Sequence, residues 1–178
     1  MADYSVIFAG FGGQGVLFMG KVTAYVGLLE GKEVSWMPSY GPEMRGGTAN
    51  CTVCISDAQV GCPIVAEPDA LIAMSSPSCD KFIDSVKPGG LVIYDGSVLQ
   101  PKKRRDDIRT VSLPATNISN EENLQGIANM ILLGKMFKET GFGNIQIIEA
   151  ALEKSMPEDK GHLFVHNLRA IKLGLGIS

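Results

Sequence analysis

Aromatic residues are scarce in this chain of 178 residues, at 7% with a single tryptophan, and there are only two histidines and four cysteines. Charge of neither sign dominates: 16 Lys and Arg stand against 19 Asp and Glu, a net charge of −3. Such a balance supplies no basic field to draw the chain to nucleic acid or to an anionic membrane. The one basic run, Lys102 to Arg105, is followed at once by Asp106 and Asp107 and reads as a solvated loop. No apolar run approaches the ~18 residues of a bilayer-spanning helix, and Met1-Ala-Asp-Tyr4 lacks the regions of a secretion signal. The expectation is a cytoplasmic protein with reduced thiols.

Cys51 and Cys54 form a C-x-x-C, a spacing used by zinc, iron–sulfur and redox sites. The pair lies in "TANCTVCIS", a β-branched run, and residues three apart on a strand point to opposite faces. Cys62 and Cys79 follow at gaps that fit neither common ferredoxin pattern. The cysteines therefore read as small apolar residues. His162 and His166 are four apart on a predicted helix, a spacing that brings two ligands to one face, yet no H-E-x-x-H or nearby third ligand accompanies them. No metal site and no catalytic residue is assigned on these grounds. Ser75, Ser76 and Ser97 lack the G-x-S-x-G elbow of a hydrolase.

What is present is an ordinary globular composition, 45% hydrophobic and 20% charged, long enough for one well-filled core. Tyr4 to Ala9 reads as a strand, Gly15 onward as a buried helix closed by Gly31, and Glu33 to Met37 as a second strand. This β–turn–α–β order opens a parallel sheet. Pro38 to Gly47 reads as a loop, and Thr48 to Ser56, Asp69 to Ser75, and the runs "GGLVIYDG" and "IRTVSLPA" as strands, with a helix over Pro77 to Val86. In the last third the apolar period becomes helical, with helices predicted over Asn123 to Glu139, Ile145 to Lys154 and Asp159 to Leu173. Gly126 and Gly134 fall inside the first of these, on roughly one face. The expected fold is α/β: a Rossmann-like, mainly parallel sheet flanked by helices, with a helical C-terminal third, in a single domain over residues 1–178.

Gly10, Gly12 and Gly15 in "FAGFGGQGV" have the G-x-G-x-x-G spacing of a dinucleotide-binding turn, between a strand and a helix as that motif requires. A nicotinamide site also needs an acidic residue at the end of the second strand, where this chain has Met37-Pro-Ser-Tyr40. The turn therefore serves either another anion at the helix N-terminus or helix–sheet packing alone. A second glycine loop, "SYGPEMRGG", is expected at the same edge of the sheet, beyond the strands' carboxyl ends. It carries Ser39, Tyr40, Gly41, Glu43, Arg45, Gly46 and Gly47. Arg45 is a fixed cation beside two glycines that let backbone approach a ligand. The alternative for Glu43 and Arg45 is an exposed ion pair of small energetic weight.

The two loops together, with "NMILLG" at Asn129 to Gly134 and "NLRAIKLG" at Asn167 to Gly174, resemble the gamma subunits of 2-oxoacid:ferredoxin oxidoreductases. The resemblance runs from Ser5 to Gly174. Its wording is most similar to the 2-oxoglutarate type, with branched-chain (2-ketoisovalerate) enzymes next. It implies an enzyme that decarboxylates a 2-oxoacid on thiamine diphosphate, reduces ferredoxin through [4Fe-4S] clusters and releases an acyl-CoA. Thiamine diphosphate, magnesium and the clusters would sit on alpha, beta and delta partners, leaving this chain inactive alone. Gly10, Gly12, Gly13, Gln14, Gly15 and the loop from Ser39 to Gly47 would then face the coenzyme A and active-site interface. Tyr94-Asp-Gly-Ser97 does not match the thiamine signature and reads as a turn. The competing expectation is a stand-alone Rossmann-like nucleotide-binding or regulatory protein.

Overall fold

Residues 6–9 and 70–73 are apolar without alternation, the pattern of strands covered on both faces. In the computed structural model, which describes residues 4–40, 47–58 and 64–177, all eight are buried. The chain runs β1 (Tyr4–Phe11), α1 (Val16–Leu29), β2 (Glu33–Tyr40), β3 (Thr48–Ser56), β4 (Ala70–Ala73), α2 (Ser76–Phe82), β5 (Leu91–Asp95) and β6 (Arg109–Leu113). Four helices follow: α3 (Ala115–Glu121), α4 (Ala128–Thr140), α5 (Ile145–Ser155) and α6 (Phe164–Leu175). Val6, Phe8, Ala70 and Ile72 belong to the larger core, with buried residues of α1, α4, α5 and α6. Ile7, Ala9, Leu71 and Ala73 belong to a smaller one with Cys79 and Ile83.

The sheet order is β2-β3-β1-β4-β5-β6. Strands β1, β4, β5 and β6 pair in parallel, as anticipated, but β3 pairs antiparallel with both β1 and β2. The β1–α1–β2 unit is thus present with a third strand inserted in its middle. Antiparallel pairing puts β3 directly back along β2, and its 0%-exposed Cys51 and Val53 bury it beneath α1.

Helix α1 ends as its sequence suggests. Gly31 has φ +73°, its N–H donates to Leu28 O at 3.1 Å, and Lys32 N–H donates to Gly27 O at 3.0 Å. These are the paired bonds of a glycine-terminated helix.

Strand β2 continues through Pro38 to Tyr40, where a loop was expected from Pro38. A missing N–H is tolerated there because β2 is an edge strand. The helix predicted from Asn123 begins at Ala128, since Asn123 (φ +56°) and Gly126 (φ +85°) adopt left-handed backbone. Helix α3 was not anticipated. Its "ATNISNE" sequence has weak propensity, and its first turn is held from outside by buried Asp95, which accepts from Thr116 N–H at 3.1 Å and from the Thr116 hydroxyl at 2.5 Å. His162 falls on a 3₁₀ turn (Glu158–Leu163) and His166 on α6, both exposed, so they do not share one helix. In the basic run Lys102, Lys103 and Arg104 are exposed, as expected, but half-buried Arg105 departs from that reading. Its guanidinium donates to the carbonyls of Ile83 at 2.9 Å and Val86 at 2.6 Å, closing the end of the helical segment after α2.

Cys51 and Cys79 are buried free thiols, and Cys54 is buried and free of disulfide; Cys62 lies outside the described residues. Burial pushes the Cys51 thiol up to about 12, against opposing hydrogen bonds from Trp36 and the Gly20 backbone. Burial likewise raises the Tyr4 phenol to about 12, with Arg109 opposing. Below pH 9 the thiol is protonated in both folded and unfolded chains and contributes no pH dependence. As pH rises from 9 toward 12 the unfolded chain releases protons that the folded one retains, so stability falls. Urea midpoints should therefore drop steadily above pH 9, and Cys51→Ala should make that drop shallower, removing roughly 1–2 kcal/mol of the loss at pH 10.5.

The tightest helix contact joins α4 to α6. A Cβ on Gly134 would lie 2.1 Å from Ile171 O, and one on Gly174 2.0 Å from Ile131 O. Both obstacles are backbone atoms of the facing helix, which cannot swing aside. Gly134→Ala should cost roughly 1–3 kcal/mol. A thermal melt should show this as a drop of roughly 2–12 °C.

Candidate functional site

The glycine turn is built from inside. Phe11 ends β1, Gln14 N–H donates to Phe11 O at 3.2 Å, and Gly13 (φ +95°) and Gly15 (φ +73°) take left-handed backbone that favours glycine. Gln14 folds back over the turn. Its Oε1 accepts from Phe11 N–H at 2.7 Å and its Nε2 donates to Met74 O at 3.1 Å, just past β4. A Cβ on Gly10 would lie 2.6 Å from Gln14 Oε1, so glycine at position 10 makes room for this brace. The Gln14 carboxamide thus links the carboxyl ends of β1 and β4.

The second loop begins and ends at the same edge. Gly10 pairs with Ala49 and Ala49 with Tyr40, so the backbones of all three form one row across β1, β3 and β2. Gly12 N–H donates to Gly47 O at 3.0 Å, joining the two loops directly. Ser39, exposed, sits one residue before the end of β2. Gly41, Glu43, Arg45 and Gly46 lie outside the described residues. Because β3 separates β2 from β1, the end of the second strand is one strand further from the glycine turn than in a nicotinamide site. The absence of an acid there is consistent with that displacement.

Against the other flank of the turn opens a cleft of about 280 Å³. Gly13, Gln14, Gly15 and Phe18 form one wall, and residues from the start of α4 and from the segment between α5 and α6 form the other. The N-terminal N–H groups of α1 lack intrahelical acceptors, and its cap residue, Gly15, provides no side-chain bond. That end of the helix is a positive pole. Three polar side chains of the cleft were not singled out as site residues in the sequence: Asn129, Lys160 and Asn167. Asn129 rests on the turn, its Nδ2 3.4 Å from Gly15 O and in the space a Cβ on Gly15 would occupy. The signal was an asparagine just ahead of an apolar helical run, in "NMILLG" and again in "NLRAIKLG".

Asp95 of Tyr94-Asp-Gly-Ser97 is fully buried and accepts bonds from Ser97 N–H, Thr116 N–H and the Thr116 hydroxyl. Its carboxylate anchors α3. Among the described residues no group of three or more His, Cys, Asp or Glu is placed to hold a metal ion, and no helix is long and apolar enough to cross a membrane.

A glycine turn at the point where parallel and antiparallel pairing meet, without the acid of a nicotinamide site, defines a Rossmann-like domain that departs from the dinucleotide-binding pattern. Residues 5–177 match the family described as pyruvate ferredoxin/flavodoxin oxidoreductase. The chain belongs to that family, and a solved gamma subunit of a keto/oxoacid ferredoxin oxidoreductase shares its fold over nearly the whole chain. It is 45% identical over 134 residues to ketoisovalerate oxidoreductase subunit VorA of Methanothermobacter marburgensis, a match covering 75% of this chain and 28% of VorA. The chain thus spans under a third of that relative's length. It is 35% identical over 153 residues to 2-oxoglutarate synthase subunit KorC of Methanocaldococcus jannaschii, covering 84% of this chain and 82% of KorC. The solved gamma subunit, from Geobacter sulfurreducens, superposes with a TM-score of 0.83 at 28% identity, over 99% of this chain and 96% of that one. A 2-oxoglutarate:ferredoxin oxidoreductase from Magnetococcus marinus, solved with 2-oxoglutarate, coenzyme A and succinyl-CoA bound, gives 0.88 at 22% identity, over 99% of this chain and 31% of that one.

The brace gives a direct test of how the turn is held. Gln14→Ala removes both bonds and leaves Phe11 N–H without its acceptor, which should cost roughly 1–3 kcal/mol. Urea unfolding should show a lower midpoint with an unchanged slope.

Proposed function

We propose that this chain is the gamma subunit of a thiamine diphosphate-dependent 2-oxoacid:ferredoxin oxidoreductase, converting a 2-oxoacid, coenzyme A and oxidised ferredoxin to an acyl-CoA, carbon dioxide and reduced ferredoxin. The observation that carries the reading is the joined pair of glycine loops at one sheet edge, in a chain matched to the family from end to end. Alpha, beta and delta partners would hold thiamine diphosphate, magnesium and the [4Fe-4S] clusters, consistent with an Asp95 engaged in structure and thiols buried as uncharged groups. Thiamine diphosphate supplies the carbanion chemistry when bound to those partners. This chain's part is to wall the site and to bind coenzyme A.

The residues proposed for that part are Gly10, Gly12, Gly13, Gln14 and Gly15 with Ser39, Tyr40, Gly41, Glu43, Arg45, Gly46 and Gly47. Gln14 holds the turn in shape, the α1 N-terminus favours an anion, and Arg45 pairs with an anionic group of coenzyme A or the 2-oxoacid. We take 2-oxoglutarate as the substrate, supported by the near-full-length match to KorC, with ketoisovalerate as the alternative from VorA. The setting we propose is cytoplasmic.

Reconstitution with the partner subunits and a panel of 2-oxoacids tests the reading. The chain alone should give no 2-oxoacid-dependent dye reduction, and the full complex should, with 2-oxoglutarate preferred. A complex equally active and stable without this chain would overturn the assignment. In the active complex, Arg45→Ala should raise KM for coenzyme A or the 2-oxoacid by roughly 10- to 150-fold, the loss of a charge-assisted bond of about 1.5–3 kcal/mol. Unchanged kinetics would reduce the loop to an interface element.

A further inference from the structure

Independently of the function proposed above, we infer that the open edge of β2 is a self-association surface. The strand pairs antiparallel with β2 of a second copy of this chain, across a two-fold axis at Ser35.

The direction of the backbone groups on β2 follows from the ladder. Gly12 N–H donates to Gly47 O, so every second pair before it, Gly10 with Ala49 down to Val6 with Val53, exchanges its bonds between β1 and β3. The residues between them on β3, Asn50, Thr52 and Cys54, then turn their N–H and C=O toward β2, where they meet Ser39, Met37 and Ser35. Val34, Trp36 and Pro38 are the alternate residues of β2, and their backbone groups point outward. The place of the proline agrees, since it has no N–H to give to β3. Val34 and Trp36 thus present N–H and C=O groups at the rim of the six-stranded sheet, and among the described residues no strand pairs with them there.

The side chains at this edge are apolar. Leu28 (54% exposed), Leu29 and Trp36 (39% each) and Met37 (37%) are half of the large apolar side chains left exposed among the described residues. Trp36 is held in place all the same. Its indole lies over α1, where a Cβ on Gly20 would meet Nε1 at 3.0 Å, and it bonds to the Cys51 thiol. Val34 faces the same helix, 2.8 Å from the place of a Cβ on Gly27. Open edges are commonly guarded by charged residues, and within β2 the one charge is Glu33, at its start.

A second copy of the strand complements this edge. With the axis at Ser35, Val34 stands opposite the second copy's Trp36, and each such pair exchanges two N–H···O bonds. The same pair sets a β-branched side chain against an aromatic one, a favourable cross-strand contact. Pro38 falls opposite the second copy's Lys32, whose N–H is already given to Gly27 O at 3.0 Å, so the two positions without a free N–H face each other. Sliding the strands by two residues either way sets Pro38 against Val34 or Lys32 against Trp36, and leaves a carbonyl without a donor. Glu33 comes opposite Met37, so no like charges meet. The contact is small: the 8 residues of β2 with Leu28 and Leu29 fall short of the roughly 20–30 residues a side of a standard interface. The dimer is therefore reversible, with a Kd on the order of 100 µM.

The test is sedimentation equilibrium of the full chain from about 10 µM to about 1 mM, with Trp36, the one tryptophan, as a fluorescent reporter. The mean mass should rise from monomer toward dimer, the emission should move to the blue, and hydrogen exchange at the Val34 and Trp36 amides should slow over the same range. Ser35→Cys sets two thiols opposite each other in a non-hydrogen-bonded pair, about 4.5 Å between Cα atoms and within disulfide reach. It should cross-link under mild oxidation well above the wild-type background, whereas Met37→Cys, which lies away from the axis, should not. Ser35→Lys sets two cations face to face and should raise the Kd roughly 5-fold. A chain that stays monomeric at 1 mM would overturn the inference. So would a dimer whose Val34 and Trp36 amides exchange as fast as in the monomer, or one in which Met37→Cys cross-links as readily as Ser35→Cys. Slowed exchange at these amides only after other subunits are added would give the edge to a different chain and equally overturn the second copy. The wild-type mass and exchange measurements decide the matter even if a variant misfolds.

Discussion

The pairing of β3 against β1 is the constraint from which the site follows. Its register runs from Tyr4 opposite Ile55 to Phe11 opposite Thr48, and the Gly12–Gly47 bond extends the contact past the strand ends. Were β2 the neighbour of β1, the end of β2 would stand where a nicotinamide enzyme keeps its ribose-binding acid. With β3 in between, that position moves outward and the return of the second loop comes down beside the first turn. One strand insertion removes the dinucleotide geometry and brings the end of the second glycine loop, at Gly47, against the first turn. The glycine spacing survives because its local requirements, a tight turn and a helix set close to a strand, are unchanged.

The opposite flank depends on a different contact. Gly134 and Gly174 let α4 and α6 meet backbone to backbone, closer than any side chain would allow. Asn129 lies upstream of the first glycine and Asn167 upstream of the second, so the approach that fixes these helices also fixes both carboxamides. Gln14 and Asn129 touch the turn from different directions, Gln14 from above Gly10 and Asn129 against Gly15. Rigid supports on both sides suit a surface that must present backbone N–H groups in one arrangement.

The strands were legible because they are local and strongly patterned. Thr48–Ser56 is bounded as its β-branched run suggested, and Leu91–Asp95 lies between its turn residues. The strand order was not legible, because an antiparallel return and a parallel crossover both follow from the same alternation of apolar runs. Helix α3 was invisible for a related reason: its weak helix formers are held by Asp95, twenty-one residues back along the chain. Pro38 read as a loop because a central strand excludes proline, and only the sheet order reveals that β2 is an edge. In the site, the glycine turn was readable and Asn129 and Asn167 were not, since a polar residue in the first turn of a helix most often faces solvent. Here both point inward.

The distribution of polar groups also argues where the chemistry belongs. Asp95 holds α3, Asp69 binds the Ser5 N–H and hydroxyl and pairs with Lys87, and Arg105 closes a helical segment. Cys51 and Cys79 are kept protonated by burial, which makes them poor nucleophiles and poor metal ligands as they stand. Buried ionisable groups that serve as acids, bases or ligands are instead left poised, with partners that shift them toward reactivity. Among the described residues those named here are tied into the scaffold, while the groups facing open space at the glycine edge are hydrogen-bond donors and acceptors. Such an edge is equipped to bind and orient a ligand through hydrogen bonds.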